Sequence, residues 1–147
     1  MGEGYDLVVI NPGGRQAVYQ DLGRDLAAVE PPLWCRLIAG YALDRGWRTV
    51  IVDSQADELE PADLARRVVA ERPRLAVVAA FGHQPSASTQ TMPAAGAACR
   101  ALKALAPELP VLILGGHVSA LPERTLAEEA VDFACKGEGP VTVVRLL

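Results

Sequence analysis

A chain of 147 residues, half of them hydrophobic, is long enough for one domain with its own core and too apolar for a disordered protein. Its formal net charge of -4 at pH 7, without a basic patch, argues against nucleic acid as a partner. No apolar run approaches the roughly 20 residues that span a bilayer, and the N-terminus lacks the features of a signal peptide. We therefore expect a cytoplasmic protein that does not bind membranes.

Three cysteines, Cys35, Cys99 and Cys135, lie far apart in the sequence and form no Cys-x-x-Cys pair. An odd number of isolated cysteines is poor evidence for disulfides, for a zinc site or for an iron–sulfur cluster. We expect all three to pack as small hydrophobic residues, and we assign no residue of this chain to a metal site.

Apolar runs typical of strands buried on both faces recur along the chain, and a segment rich in Gly, Pro, Ser or Asp follows each. The first run ends in Asn11-Pro12-Gly13-Gly14. The fourth enters the pair Gly115-Gly116 and then a short polar loop. The predicted strands are residues 7–10, 49–52, 75–81, 111–114 and 131–135.

Helical patterns separate these strands. A helix is predicted over residues 31–45, with two prolines in its first turn and Gly46 after its end. Its apolar positions repeat at helical spacing, at Leu33, Leu37, Ile38 and Tyr41. An alanine-rich helix reaching about residue 106 is predicted to carry Pro93 in its first turn. The remaining helices are expected at 61–71, 122–130 and 141–147.

Five strands alternating with helices predict an α/β domain, a doubly wound five-stranded parallel sheet of the Rossmann or flavodoxin-like kind. Right-handed crossovers make the strand order 2-1-3-4-5 the commonest arrangement at this size. The loops after strands 1, 3 and 4 then surround the crevice in which open parallel sheets bind ligands.

Several functions share this architecture. A phosphoacceptor receiver domain needs carboxylates after strands 1 and 3, where this chain has Asn11 and Phe81. A dinucleotide-binding fold needs Gly-x-Gly-x-x-Gly after strand 1, which is absent here. A flavin or nucleotide module remains open, because Ser86, Ser88, Thr89 and backbone amides are able to hold a phosphate. A degenerate docking domain without a ligand also remains open.

An ordered set of short motifs covers almost the whole chain. The motifs are Asn11-Pro12, Glu30-Pro31-Pro32-Leu33, Asp44-Arg45-Gly46, Val52-Asp53, the Ser/Thr loop after strand 3, residues 115–123, and residues 132–139. In this order they resemble the N-terminal cobalamin-binding domain of cobalamin-dependent radical S-adenosylmethionine (radical SAM) enzymes. Families of this type include methylases of unactivated carbon or phosphorus and the anaerobic magnesium-protoporphyrin ester cyclase.

The resemblance implies that the chain binds cobalamin across the loops after strands 1, 3 and 4 and has no catalytic residue of its own. The glycine pair would make room for the nucleotide tail, a serine after strand 3 would bond the dimethylbenzimidazole, and the Gly-Glu-Gly loop would pack along the tail. The implied cofactor-binding residues are Asn11, Pro12, Arg15, Gln16, Ser86, Ser88, Thr89, Gly115, Gly116, His117, Val118, Gly137, Glu138 and Gly139.

The chain departs from related mutases and methyltransferases after strand 1, where they carry a cobalt-ligating histidine in Asp-x-His-x-x-Gly. Residues 11–16 contain no histidine. The resemblance therefore implies base-off cobalamin, whose lower face is open, bound to water or covered by Arg15, Gln16 or Tyr19. We expect His83 and His117 to be hydrogen-bonding loop residues.

The resemblance also implies a further domain. In such enzymes a radical SAM barrel follows, with a Cys-x-x-x-Cys-x-x-Cys motif for a [4Fe-4S] cluster that cleaves S-adenosylmethionine. That motif is absent from this sequence. We therefore expect residues 1–147 to form the cobalamin-binding domain of a longer methyltransferase or cyclase.

Overall fold

Residues 4–14, 29–82 and 87–147 are described by a computed structural model of the chain. The strands are β1 (Leu7–Asn11), β2 (Thr49–Asp53), β3 (Leu75–Ala79), β4 (Val111–Leu114) and β5 (Phe133–Cys135). The helices in these ranges are α1 (Leu33–Leu43), α2 (Pro61–Ala70), α3 (Ala87–Leu105), α4 (Gly116–Ala120), α5 (Pro122–Glu128) and α6 (Pro140–Leu146).

All five strands pair in parallel in the order β2-β1-β3-β4-β5, which confirms the predicted fold class and strand order. Successive side chains of a strand point to opposite faces, so β1 contributes to two cores. Val8 and Ile10 pack with α2 and α3 on one face, whereas Leu7 and Val9 pack with α1 and α6 on the other. Both faces of the central strands are therefore covered.

The helices that follow β1 and β3 lie on opposite faces of the sheet. The chain leaving β1 reaches α1 on one face, and the chain leaving β3 enters α3 on the other. Because the helices after these neighbouring strands cover opposite faces, a crevice opens at the carboxyl ends of the strands.

Helix α1 differs from its prediction at its start and on its buried face. Pro31 and Pro32 precede the helix instead of forming its first turn, while Gly46, with φ of 86°, follows its end as predicted. Leu33 and Leu37 are 63% and 49% exposed. The core-facing positions are mostly small residues, which let the helix approach the sheet closely, namely Cys35, Ile38, Ala39 and Ala42.

Other boundaries also shift. Pro93 lies inside α3, beyond the first turn in which it was predicted, and it is exposed there. The missing N–H of Pro93 leaves only the Thr89 carbonyl without its helical partner, so the helix continues. The polar loop predicted after β4 is wrong, because α4 begins at Gly116. Strand β3 ends two residues early, although the Ala80 N–H still bonds to the Leu114 carbonyl at 2.8 Å.

All three cysteines are buried and free, as predicted. Cys99 packs on one face of the sheet, and Cys35 and Cys135 pack on the other. Burial raises the pKa of the Cys35 thiol to about 12, with a smaller contribution from the Asp53 carboxylate. Burial likewise raises the pKa of Cys99 to about 12, helped by Glu129. None of the helices in the described ranges is long and apolar enough to cross a membrane.

These buried thiols predict a loss of stability at alkaline pH. Cys35 and Cys99 keep their protons to about pH 12 in the folded chain but lose them near the ordinary value of 9.0 in the unfolded chain. The unfolded state then binds fewer protons, so the free energy of unfolding falls as pH rises above 9. By pH 10 the loss is roughly 1 kcal/mol per thiol.

Urea unfolding at pH 7.5 and pH 10 measures this effect. A variant carrying Cys35→Ala and Cys99→Ala is less stable at both pH values, because each change leaves a small cavity, but it loses less stability between them. An equal loss in the variant and the wild type would contradict the role of the thiols.

Candidate functional site

A cleft of about 370 Å³ opens at the carboxyl edge of the sheet, between the ends of β1 and β3. We call it the carboxyl-edge cleft. Its walls come from the exits of β1 and β3, the turn after β2 and the first turns of α1 and α3. The lining residues on which the argument rests are Asn11, Trp34, Gln55, Phe81, Gln90 and Thr91.

Two stacked aromatic rings belong to the apolar part of this cleft. Trp34 is the second residue of α1 and Phe81 follows β3, and their ring centroids lie 4.5 Å apart with an angle of 17° between the planes. Both side chains are partly buried. The stack joins α1 to the end of β3 and gives the cleft a flat apolar surface.

The polar part of the cleft begins at the ends of β1 and β2. Asn11 is paired with Asp53 in the sheet register, and Asn11 Nδ2 donates to Asp53 Oδ1 at 2.8 Å. The same oxygen accepts the backbone N–H groups of Gln55 at 3.0 Å and Ala56 at 3.2 Å. Asp53 therefore closes the turn after β2 and also holds the side chain of Asn11.

A second group of polar contacts joins β3, α3 and α4. The Ser88 hydroxyl, in a residue only 1% exposed, donates to the Ala80 carbonyl and accepts the His117 N–H at 3.0 Å. Thr89 Oγ1 lies 3.1 Å from His117 Nδ1. We call these four residues the Ser88 clasp. Partners within the protein occupy the one donor of this hydroxyl and one of its acceptor sites.

Gly115 lies against the same clasp. Its φ is 151°, and a Cβ atom built there would lie 2.2 Å from the Ala80 carbonyl oxygen and 3.1 Å from Ser88 Oγ. The close contact with the Ala80 carbonyl therefore requires glycine at this position, whether or not a ligand binds there. Gly116 is exposed at the start of α4, and its predicted contact with a nucleotide tail stays a prediction, as does that of Gly115.

The last loop of the predicted site is held against α4. Ser119 Oγ accepts the Gly137 N–H at 2.9 Å and donates to the Gly137 carbonyl at 3.3 Å. Gly139 has a φ of 98° and is buried beside Leu114. Glu138 is exposed between the two glycines. The loop is thus fixed at its base and open to a ligand at Glu138.

The structure separates the predicted site residues into distinct groups. Of those it describes, Asn11 lines the carboxyl-edge cleft, whereas Ser88, Thr89 and His117 belong to the clasp. Val118 is fully buried in the core, and Pro12 is also buried. The residues that lie outside the described ranges are Arg15, Gln16, Tyr19, His83 and Ser86.

Sequence reasoning assigned no site role to Asp53, Gln55, Phe81 or Gln90. The only sequence signal that could have identified them is their position just after a predicted strand or in the first turn of a predicted helix. No group of three or more His, Cys, Asp and Glu side chains within the described ranges is arranged to hold a metal ion.

A comparison with known families agrees with this architecture, because the profile of the B12 binding domain matches residues 19–147. The chain belongs to the B12-binding domain family. It is 32% identical over 121 residues to the anaerobic magnesium-protoporphyrin IX monomethyl ester cyclase of Synechocystis sp.. This match covers 80% of the chain and 23% of the cyclase.

The fold is also similar to that of TsrM, a radical S-adenosylmethionine methyltransferase from Kitasatospora setae solved with tryptophan substrate and a SAM analogue bound. The TM-score is 0.73 at 15% identity, and the match covers 95% of this chain and 24% of that one. This B12-binding domain therefore spans about a quarter of the length of each of these proteins.

The two neighbouring glycines predict opposite effects on stability. Gly115→Ala places a Cβ against the Ala80 carbonyl at a positive φ, so we expect the free energy of unfolding to fall by about 3 kcal/mol. Gly116→Ala adds a methyl group to an exposed helical position and should change it by less than about 1 kcal/mol. Urea unfolding of both variants is the measurement, and equal losses would contradict the close approach of Gly115 to β3.

Proposed function

We propose that this domain binds cobalamin base-off, without a histidine ligand from the loop after β1, and presents it to a radical SAM active site in the same protein. The observation that carries the proposal is the carboxyl-edge cleft, which lies at the switch point of a B12-binding domain. Ligands of open parallel sheets bind at this place.

The chemistry of the cleft suits part of a cobalamin molecule. Cobalamin carries uncharged amide groups around a large flat macrocycle, and the cleft offers amide side chains from Asn11, Gln55 and Gln90 beside the Trp34–Phe81 stack. No lysine or arginine is found among its described lining residues, which disfavours a ligand held mainly by phosphates. About 370 Å³ accommodates one projecting part of cobalamin rather than the whole.

The position of histidine supports the base-off part of the proposal. Residues 11–16 have none, and the cleft has none among its described lining residues. His117 lies after β4, two strands from β1, and its Nδ1 atom contacts Thr89. We therefore expect no imidazole from the β1 loop on the lower face of the cobalt.

The residues of this domain bind and orient the cofactor. The aromatic stack offers a flat apolar surface, and Asn11 and Gln90 offer hydrogen bonds. The Ser88 clasp joins the first turn of α3 and the start of α4 to the end of β3. Bound cobalamin supplies a cobalt centre that can carry a methyl group. Cys35 also lines the cleft, but its pKa of about 12 keeps the thiol neutral at physiological pH.

The related proteins suggest the wider reaction. One is an anaerobic ester cyclase and the other a radical SAM methyltransferase, and each is about four times as long as this chain. We propose that the complete protein is likewise a methyltransferase or a cyclase. A [4Fe-4S] cluster and S-adenosylmethionine would then bind in a radical SAM domain of the same chain. Free, buried cysteines agree with a cytoplasmic location.

Retention of hydroxocobalamin through desalting tests the proposal. With protein and ligand at tens of micromolar, above a dissociation constant of about 1 μM, we expect close to one corrinoid per chain. After reduction to cob(II)alamin, the electron paramagnetic resonance spectrum should lack the nitrogen splitting of an axial base. Nitrogen splitting would overturn the absence of a nitrogen ligand. Splitting that is lost in His83→Ala or His117→Ala would come from that histidine, whereas splitting that persists in both would come from the dimethylbenzimidazole and would overturn the base-off assignment.

Failure to retain any corrinoid would overturn the proposal and favour the degenerate docking domain. A yellow, phosphate-bearing ligand that copurifies with the protein would instead favour the flavin alternative.

A pair of tryptophan variants tests the place of binding. Gln90→Trp fills the cleft from α3, and we expect it to weaken cobalamin binding at least about tenfold. Ala104→Trp introduces the same side chain at an exposed position of the same helix, outside the cleft, and should leave the affinity unchanged. Titration followed by visible absorbance measures both, and equal affinities would place the ligand elsewhere.

A further inference from the structure

We propose that Asp53 is a positioning residue of this site, and that it makes the domain select amidated corrinoids over corrinoids with free carboxylates. This inference rests on the proposed function. Asp53 acts through Asn11, whose amide it holds in one orientation.

The orientation follows from the chemistry of the two side chains. An asparagine amide has a similar shape when its nitrogen and oxygen exchange places, so packing alone does not choose between the two orientations. A carboxylate only accepts hydrogen bonds, and Asp53 Oδ1 lies 2.8 Å from Asn11 Nδ2. The N–H₂ end of Asn11 must therefore face Asp53.

The same carboxylate is itself fixed. Its Oδ1 atom also accepts the N–H groups of Gln55 and Ala56, which belong to the turn after β2. The Ser54 N–H donates to the Asn11 carbonyl at 3.0 Å and joins the two strand ends through the backbone. Asp53 consequently has little freedom to move away and let Asn11 rotate.

The carbonyl Oδ1 of Asn11 is the group left for a ligand. Asn11 lines the carboxyl-edge cleft, and no hydrogen bond to this oxygen is formed by any residue that the structure describes. A carbonyl oxygen accepts an N–H from a primary amide, the group found around the macrocycle of cobalamin. It offers no proton to a carboxylate, and the negative charge of Asp53 behind it repels one.

The experiment measures dissociation constants for hydroxocobalamin and for a derivative in which side-chain amides are hydrolysed to carboxylates. The proteins are the wild type, Asp53→Ala, Asn11→Ala and the double variant. An alanine at position 53 has no oxygen to accept the Asn11 N–H₂ group, so the Asn11 amide is free to turn over. It also removes the acceptor of the turn, so backbone ¹⁵N–¹H spectra first establish that the variant folds. Asp57→Ala, an exposed change in the same turn, is the matched control.

We expect Asp53→Ala to weaken hydroxocobalamin binding about fivefold to tenfold and to reduce the preference for the amidated ligand. In the Asn11→Ala background the same change should have no further effect on hydroxocobalamin binding, because the group through which Asp53 acts on this uncharged part of the ligand is gone. Asp57→Ala should behave like the wild type. The side-chain ¹⁵N–¹H₂ resonances of Asn11 should shift in ligand-free Asp53→Ala, which reports the loss of the fixed amide orientation without any cofactor.

Wild-type affinity in Asp53→Ala, unchanged Asn11 resonances, or full additivity of the two changes in hydroxocobalamin binding would each overturn this inference while leaving the proposed function intact. Failure of the wild-type domain to retain hydroxocobalamin would overturn the proposed function and this inference together.

Discussion

The close approach of β3 to the start of α4 sets the layout of the carboxyl edge. The Ala80 carbonyl occupies the space where a side chain at position 115 would lie, and the Ser88 hydroxyl bridges this carbonyl to the His117 N–H. A single buried hydroxyl thus satisfies a strand end and a helix start. Loss of either the glycine or the hydroxyl would leave backbone groups without partners or force the two strand exits apart.

The contacts of Ala80, Ser88 and Gly115 fill the space between the ends of β3 and β4. The cleft therefore lies between the ends of β1 and β3. There the following helices lie on opposite faces of the sheet, and the lining of the cleft includes the aromatic stack, three amide side chains and Glu30. The Asn11–Asp53 hydrogen bond joins two strand ends and orders the polar side of the cleft. At both places, hydrogen bonds of a side chain link the ends of neighbouring strands: Asn11 with Asp53 for β1 and β2, and Ser88 for β3 and β4.

Much of the fold was predictable, because runs such as Leu7 to Ile10 and Val111 to Leu114 are apolar on both faces and alternate with helical patterns. The buried face of α1 was not predictable in the same way. The helical repeat predicted that Leu33 and Leu37 face the core, whereas the sheet packs against small residues such as Ala39 and Ala42. For the site, the resemblance implied Asn11, and the structure places it in the lining of the cleft. The partnership of Trp34 with Phe81 spans distant positions in the chain, and no local pattern signals it.

The sequence by itself determined the parallel α/β domain, the strand order, the burial of the cysteines and the family to which the motifs point. The elements follow from local periodicity, the strand order from the handedness of the crossovers, and the family from the resemblance of the ordered motifs. The tertiary structure decided which of the polar residues after the strands line a cleft and which form hydrogen bonds within the protein. Ser88 and Asn11 look equally suited to a ligand in the sequence. Only the packing of neighbouring strands shows that Ser88 is buried between protein partners, whereas Asn11 lines the open space.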